Sequence, residues 1–166
     1  ITVVADLGLQ ESSWKGQTKR SYRIGLAFEL QGKKTSEGKP FAVFDTVTYS
    51  LHEKARLPEI AESALGELPD PLDPFELLGK GVLVQVIHRE GQDGKTWANV
   101  GTVTPLPEGM EIKTTETPLL AFDLDNPDPE MFQKLPALFR KKIEGRVQEK
   151  ERPTPADVDL SEDVPI

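Results

Sequence analysis

The residues of this chain whose types and spacing point to chemistry are flat rings set among cations. Trp14 stands in a polar stretch with Lys15, Lys19 and Arg20. Tyr22 precedes Arg23, and Trp97 follows Lys95 by two positions, with Arg89 upstream. Lys33, Lys34 and Lys39 crowd the stretch QGKKTSEGKP, and Phe44 alternates against Val43 and Val47. Rings offer faces on which bases stack, and lysines and arginines neutralise phosphates. Together they make a surface that holds a single nucleic-acid strand whatever its sequence. Each ring also has a plain packing role. Tyr22 shares its alternation with Ile24 and so points to a core. Trp97 could sit under a C-terminal helix, and Phe44 lies where a bend blurs the faces. Trp14 has little core to enter, and Arg23 falls on the polar side of its strand.

Other chemistries find no residues. The chain has no Cys, which excludes disulfides, thiolate metal sites and thiol catalysis. His52 and His88 are the only histidines, too few for a multi-histidine metal site. No nucleophile elbow or phosphate-cradling glycine loop is present. FDLDNPDPE carries Asp123, Asp125, Asp128 and Glu130 but lacks the central Gly and closing Glu of a calcium loop. These acids read as helix caps in a loop. The expectation is a protein without enzymatic activity, cofactor or metal.

The 166 residues carry 20 basic and 28 acidic side chains, and 37% are hydrophobic. That fits one domain with long loops. Charge is segregated. Residues 1–56 hold nine lysines and arginines against six acids, whereas 57–76 hold six acids and no base. Residues 136–147 are basic again, and 148–166 are acidic. A basic N-terminal part and an acidic end suggest an anionic partner and a separate tail; ordinary surface scatter is the plain alternative. No apolar run approaches the roughly 18 residues of a membrane span, and no signal peptide is visible. The opening Ile1 implies a few preceding residues.

The elements that must position these groups follow from periodicity. Residues 1–10 read as a short strand and 11–20 as a polar loop. In SYRIGLAFEL, Tyr22, Ile24, Leu26, Phe28 and Leu30 share one face, and Arg23, Gly25, Ala27 and Glu29 the other, the mark of a half-buried strand. Gly25 within it predicts a bulge or bend. FAVFDTVTYSL is a third strand. A helix follows, with Pro58 in its first turn, then a helical turn capped by Asp73 and stopped by Gly79. Residues 81–107 form a hairpin, in which His88 has core parity, and 108–129 are irregular. Pro136 interrupts a C-terminal helix, whose Arg140, Lys141, Lys142 and Arg146 complement the helix C-terminus, with a DNA contact as the minor alternative. The order predicts a mainly β chain: an OB-fold, a five-stranded Greek-key barrel with a helix between strands 3 and 4, then a C-terminal helix. A generic α+β sheet is the alternative. The domain spans 1–147, and 148–166 form a flexible acidic tail.

Two resemblances sharpen this reading. The end DVDLSEDVPI resembles the acidic tip of bacterial single-stranded DNA-binding proteins, with Ile166 in place of their terminal Phe. The likeness implies a partner-docking peptide at Asp159, Glu162, Asp163, Val164, Pro165 and Ile166. The segments VVADLGLQ, YRIGLAFEL, VTYSLHEKA, FELLGKGVLVQVIHREGQDGKTWANVGTVTPLPEGM and FDLDNPDPEMFQKLP resemble phage-encoded OB-fold single-stranded DNA-binding proteins. That likeness implies sequence-independent coating of single strands in phage DNA replication or recombination, in the cytoplasm of the bacterial host. The tip would recruit replication or recombination enzymes. The expected DNA-binding residues are Trp14, Lys15, Lys19, Arg20, Tyr22, Arg23, Lys33, Lys34, Phe44, Arg89, Lys95 and Trp97. No membrane partner is expected, and both monomers and homo-oligomers fit. The rival is a non-enzymatic protein-interaction module, acidic and OB-like, that imitates nucleic acid or serves a virion and binds no DNA.

Overall fold

The computed structural model describes residues 1–148. The acidic tail and its tip, Asp159 and residues 162–166, lie outside the described residues. The elements are β1 (Val3–Trp14), β2 (Gln17–Lys34), β3 (Pro40–Thr48), α1 (Arg56–Leu65), a 3-10 turn (Pro74–Leu77), β4 (Leu83–Glu90), β5 (Thr96–Thr104), β6 (Leu120–Phe122), α2 (Pro129–Lys134) and α3 (Ala137–Glu144). The chain is mainly β, with a helix between the third and fourth strands. Among the described residues, no helix is long and apolar enough to cross a membrane.

Among the described residues, six strands form two sheets rather than one closed five-stranded barrel. The larger has the order β3-β2-β1-β6, and the smaller is the hairpin β4-β5. The sixth strand falls in the stretch expected to be irregular. Its three residues pair in parallel with Val3–Ala5 of β1, too short a run for alternation to reveal.

Residues 11–20 are not a loop. β1 and β2 continue as paired strands to Trp14 and Gln17. They turn through Lys15 and Gly16, both at positive φ (48° and 78°). A two-residue turn with both φ positive matches the right-handed twist of its strands.

The alternation in β2 is real, and both faces are buried. Ile24, Leu26 and Phe28 enter a core with Val43, Val47, Leu57, Ile60, Val100 and Val103. On the opposite face Ala27 packs with Val3, Ala5, Leu7, Phe122, Phe139 and Ile143. Gly25 marks no bulge. A Cβ there would lie 3.0 Å from the Phe139 ring, so glycine admits the α3 aromatic onto the sheet. The bulge lies in β1, between Asp6 and Gly8. There Asp6 Oδ1 accepts the Gly8 N–H at 2.9 Å, and Gly8 holds φ at 70°.

Local signals place the helices. Pro58 falls in the first turn of α1, and Gly66 ends it with φ 82°. Asp73 caps the 3-10 turn by accepting the Phe75 N–H. Asp128 caps α2, and Pro136 separates α2 from α3.

Where a closed barrel would join β3 to β5 by backbone hydrogen bonds, a side chain does so. Arg56 donates to the Gly101 carbonyl at 2.8 Å and the Val100 carbonyl at 3.4 Å. The same guanidinium pairs with Asp45 of β3 at 3.0 Å. Burial pushes the Asp45 carboxyl up, and the Arg56 charge only partly offsets this. A raised folded value means protonation favours the fold, so the ionised form is a net cost at neutral pH.

Two predictions follow from this packing. Gly25→Ala should destabilise the fold by about 1–3 kcal/mol, measured by denaturant unfolding. In a Phe139→Leu background the loss should largely vanish, because the clash is with the ring. At the seam, Arg56→Ala should cost about 3 kcal/mol, since it leaves Asp45 charged and unpaired, whereas Asp45→Asn should stay within about 1 kcal/mol of the parent.

Candidate functional site

The outer side of the β1-β2 arm gathers part of the expected set. Ser12 pairs with Lys19, and Trp14 with Gln17. Trp14 and Lys19 are therefore diagonal neighbours on one face, but the Lys19 amine is buried rather than presented to solvent. Trp14 is 46% exposed, and the Lys15 ammonium lies 5.7 Å from its ring centroid, within cation–π reach. Arg20 is not on this face. It points to the opposite side and pairs with Glu11 at 2.8 Å. Tyr22 is buried in the sheet, as its parity with Ile24 allowed, and has no ring face to offer a base.

Arg23 lies on the Lys19 face, but not as a swinging arm. It donates to Thr48 Oγ1 at 2.8 Å and to the Thr46 carbonyl at 2.6 Å. Burial lowers its pKa, with the Asp45 charge opposing. Phe44 is half-exposed beside α3, edge-on to Phe139 with centroids 5.7 Å apart. One edge of its ring is therefore committed to packing.

Lys33 and Lys34 stand at the far end of β2, about 45 Å along the strand from Lys19 at ~3.3 Å per residue. They do not join the arm. Within QGKKTSEGKP the turn is confined to residues 35–39; Lys33 and Lys34 belong to the end of β2, which is tied to residues 113–117. Gln31 exchanges two hydrogen bonds with the Lys113 backbone, at 2.6 and 2.8 Å, and Lys34 pairs with Glu116 at 3.0 Å. Glu29 accepts from the Glu116 N–H, the Thr117 N–H and the Thr117 hydroxyl. Burial pushes the Glu29 carboxyl up, but these hydrogen bonds outweigh it and leave its pKa lowered.

A second cluster lies on the β4-β5 hairpin. Arg89 pairs directly with Trp97 across the strands, and His88 pairs with Ala98 on the other side. His88 is exposed, so its alternation does not carry it into the core. Trp97 is 56% exposed and lies over Gly91, where a Cβ would come within 3.0 Å of its Nε1. It does not pack under the C-terminal helix. Lys95 sits at the end of the turn, its N–H donating to Asp93 Oδ1.

The two clusters occupy the β1-β2 and β4-β5 turns, with part of the outer β2-β3 face closed by α3. The acids of residues 122–130 act locally. Asp123 accepts the Asp125 N–H, and Asp128 caps α2. Among the described residues no group of His, Asp and Glu is arranged to hold a metal. Arg146 caps the end of α3 by donating to the Ile143 carbonyl at 2.7 Å, as a C-terminal cation should. Lys142, by contrast, is half-buried, and burial, then the Arg23 charge, lowers its pKa. Sequence reading missed this juxtaposition, and its one signal is the three-residue spacing from Phe139. No protein family, curated protein or solved structure matches this chain.

The lowered Glu29 value sets a pH dependence. Its stabilisation is present above the ordinary glutamate pKa and is lost as pH falls through the lowered folded value. In an acid-to-neutral series, the protection of the Glu116 and Thr117 amides, measured as exchange relative to the intrinsic rate at each pH, should therefore fall on the acid side. In Glu29→Gln that acid-side fall in protection should be absent.

Proposed function

We propose that this chain binds single-stranded DNA without sequence preference, coating strands exposed in phage DNA replication or recombination. The observation that carries the reading is the pair of exposed tryptophans. Each stands at or near a hairpin turn and each has a cation beside it: Trp14 with Lys15, and Trp97 with Arg89. Exposing one large ring is ordinary. Exposing both, on the β1-β2 and β4-β5 turns, matches the loops with which OB-folds hold oligonucleotides. The strand and helix order supports an OB-like reading, with Arg56 standing in for the barrel's last backbone seam.

The mechanism needs no reaction. Bases stack on Trp14 and Trp97 while lysines and arginines of the arm and hairpin neutralise phosphates, so the strand cannot re-pair. The acidic end of the chain, with its aliphatic tip, suits recruitment of replication or recombination enzymes by a basic-rimmed apolar pocket.

One titration tests the reading. Oligo-dT of roughly 30 nucleotides should quench tryptophan fluorescence at low salt and salt should reverse it, with a log–log slope of about −0.7 per phosphate contact. Duplex of equal length should have little effect. Trp14→Ala and Trp97→Ala should each cost about 1–3 kcal/mol of affinity. No binding by fluorescence or gel shift at low salt would overturn the proposal and leave a protein-interaction module.

A further inference from the structure

We infer that α3 contributes Lys142 to a phosphate-binding subsite that it shares with Arg23 of β2. The inference rests on the nucleic-acid reading above, but the subsite is defined by its own geometry. Phe139 sits over Gly25. Further along the helix, the Lys142 carbonyl accepts from Gln10 Nε2 at 2.9 Å, and the same amide holds the Leu7 carbonyl at 2.7 Å. α3 therefore runs across the sheet from Gly25 towards Gln10. Arg23 lies between these two anchors. It is two residues before Gly25 on the same face, and it pairs with Gly8, two before Gln10.

The result is two cations brought together where water is partly excluded. Arg23 and Lys142 are both half-buried. Burial, then the Arg23 charge, lowers the Lys142 pKa. Among the described residues no carboxylate pairs with Lys142. The acid whose charge reaches Arg23 is Asp45, which belongs to the opposite face of the sheet and is already paired with Arg56. Two half-buried cations whose charges oppose each other are stabilised when an anion joins them. The Thr46 and Thr48 side chains stand at the Arg23 guanidinium. A tetrahedral oxyanion with several acceptor oxygens suits two cationic donors rimmed by hydroxyls. In a strand-binding protein that anion is a backbone phosphate. Because one donor is on β2 and the other on α3, the phosphate also staples the C-terminal helix to the sheet.

The experiment compares the full chain with Lys142→Ala and Lys142→Arg, titrated with oligo-dT through a salt series. Lys142→Ala should lose several-fold affinity at low salt and have a slope shallower by about 0.7. Lys142→Arg should keep both. In the parent chain, dT should also slow amide exchange across residues 139–145, and Lys142→Ala should lose that protection. A variant that unfolds more easily yet keeps the parent slope and protection would show Lys142 to be structural and overturn the inference. If the parent chain binds no dT, the nucleic-acid reading fails, and the subsite is judged with inorganic tripolyphosphate. A rise in Tm over chloride at matched ionic strength, absent in Lys142→Ala, would keep the anion subsite, and no rise would overturn it.

Discussion

Burial of β2 on both faces is the constraint from which the rest of the molecule follows. Successive side chains of a strand point to opposite sides, so one strand must serve two cores. Towards the α1 side it presents Ile24, Leu26 and Phe28. Towards the α3 side it presents Gly25 and Ala27, where the space is filled from elsewhere by Phe139. Large residues on both faces would push α3 away. The helix needs its ring on the sheet because Phe139 and Ile143 are the two fully buried anchors on its eight residues.

The seam between β3 and β5 shows a different solution to the same kind of problem. Backbone carbonyls at the edge of a small sheet must find donors. Here one guanidinium reaches two carbonyls of β5 and a carboxylate of β3. A planar fork with several N–H groups does this where a lysine could not. The arrangement leaves β4-β5 attached through side chains and the core rather than by a continuous ladder. Its far end, with Trp97, projects beyond the packed region.

The exposed rings share a physical origin. Tyr22 lies over the core and is consumed by it. Trp14 and Trp97 lie beyond the ends of the packed sheets, at or near hairpin turns, where no second layer reaches them. The same hairpins that the core cannot cover carry the cations. The stacking surface proposed for the strand is thus the part of the fold that contributes least to holding the fold together. The Arg23–Lys142 subsite is the exception, since it joins the proposed binding surface to the packed sheet and its C-terminal helix.

Much of the local structure was legible in the sequence. The alternation of residues 21–30, the 81–107 hairpin, Pro58 in a first turn, Asp73 as a cap and Pro136 as a break are all short-range signals. Each depends on backbone sterics or on a neighbour within four residues. The polar arm was not legible, because its strands have no apolar alternation and the Lys15–Gly16 turn is not an Asn-Gly signature. Nor was β6, whose three residues are too few to show a period. Gly25 was visible as an anomaly, but its cause, the ring of Phe139, lies 114 positions away. The same holds for Arg56 at the seam and for Lys142 beside Arg23. Sequence by itself determined which segments alternate, turn and cap, and which residue types were available for rings and phosphates. Only the tertiary structure decided which of them are spent on packing and which face water, because that depends on which distant element covers each face.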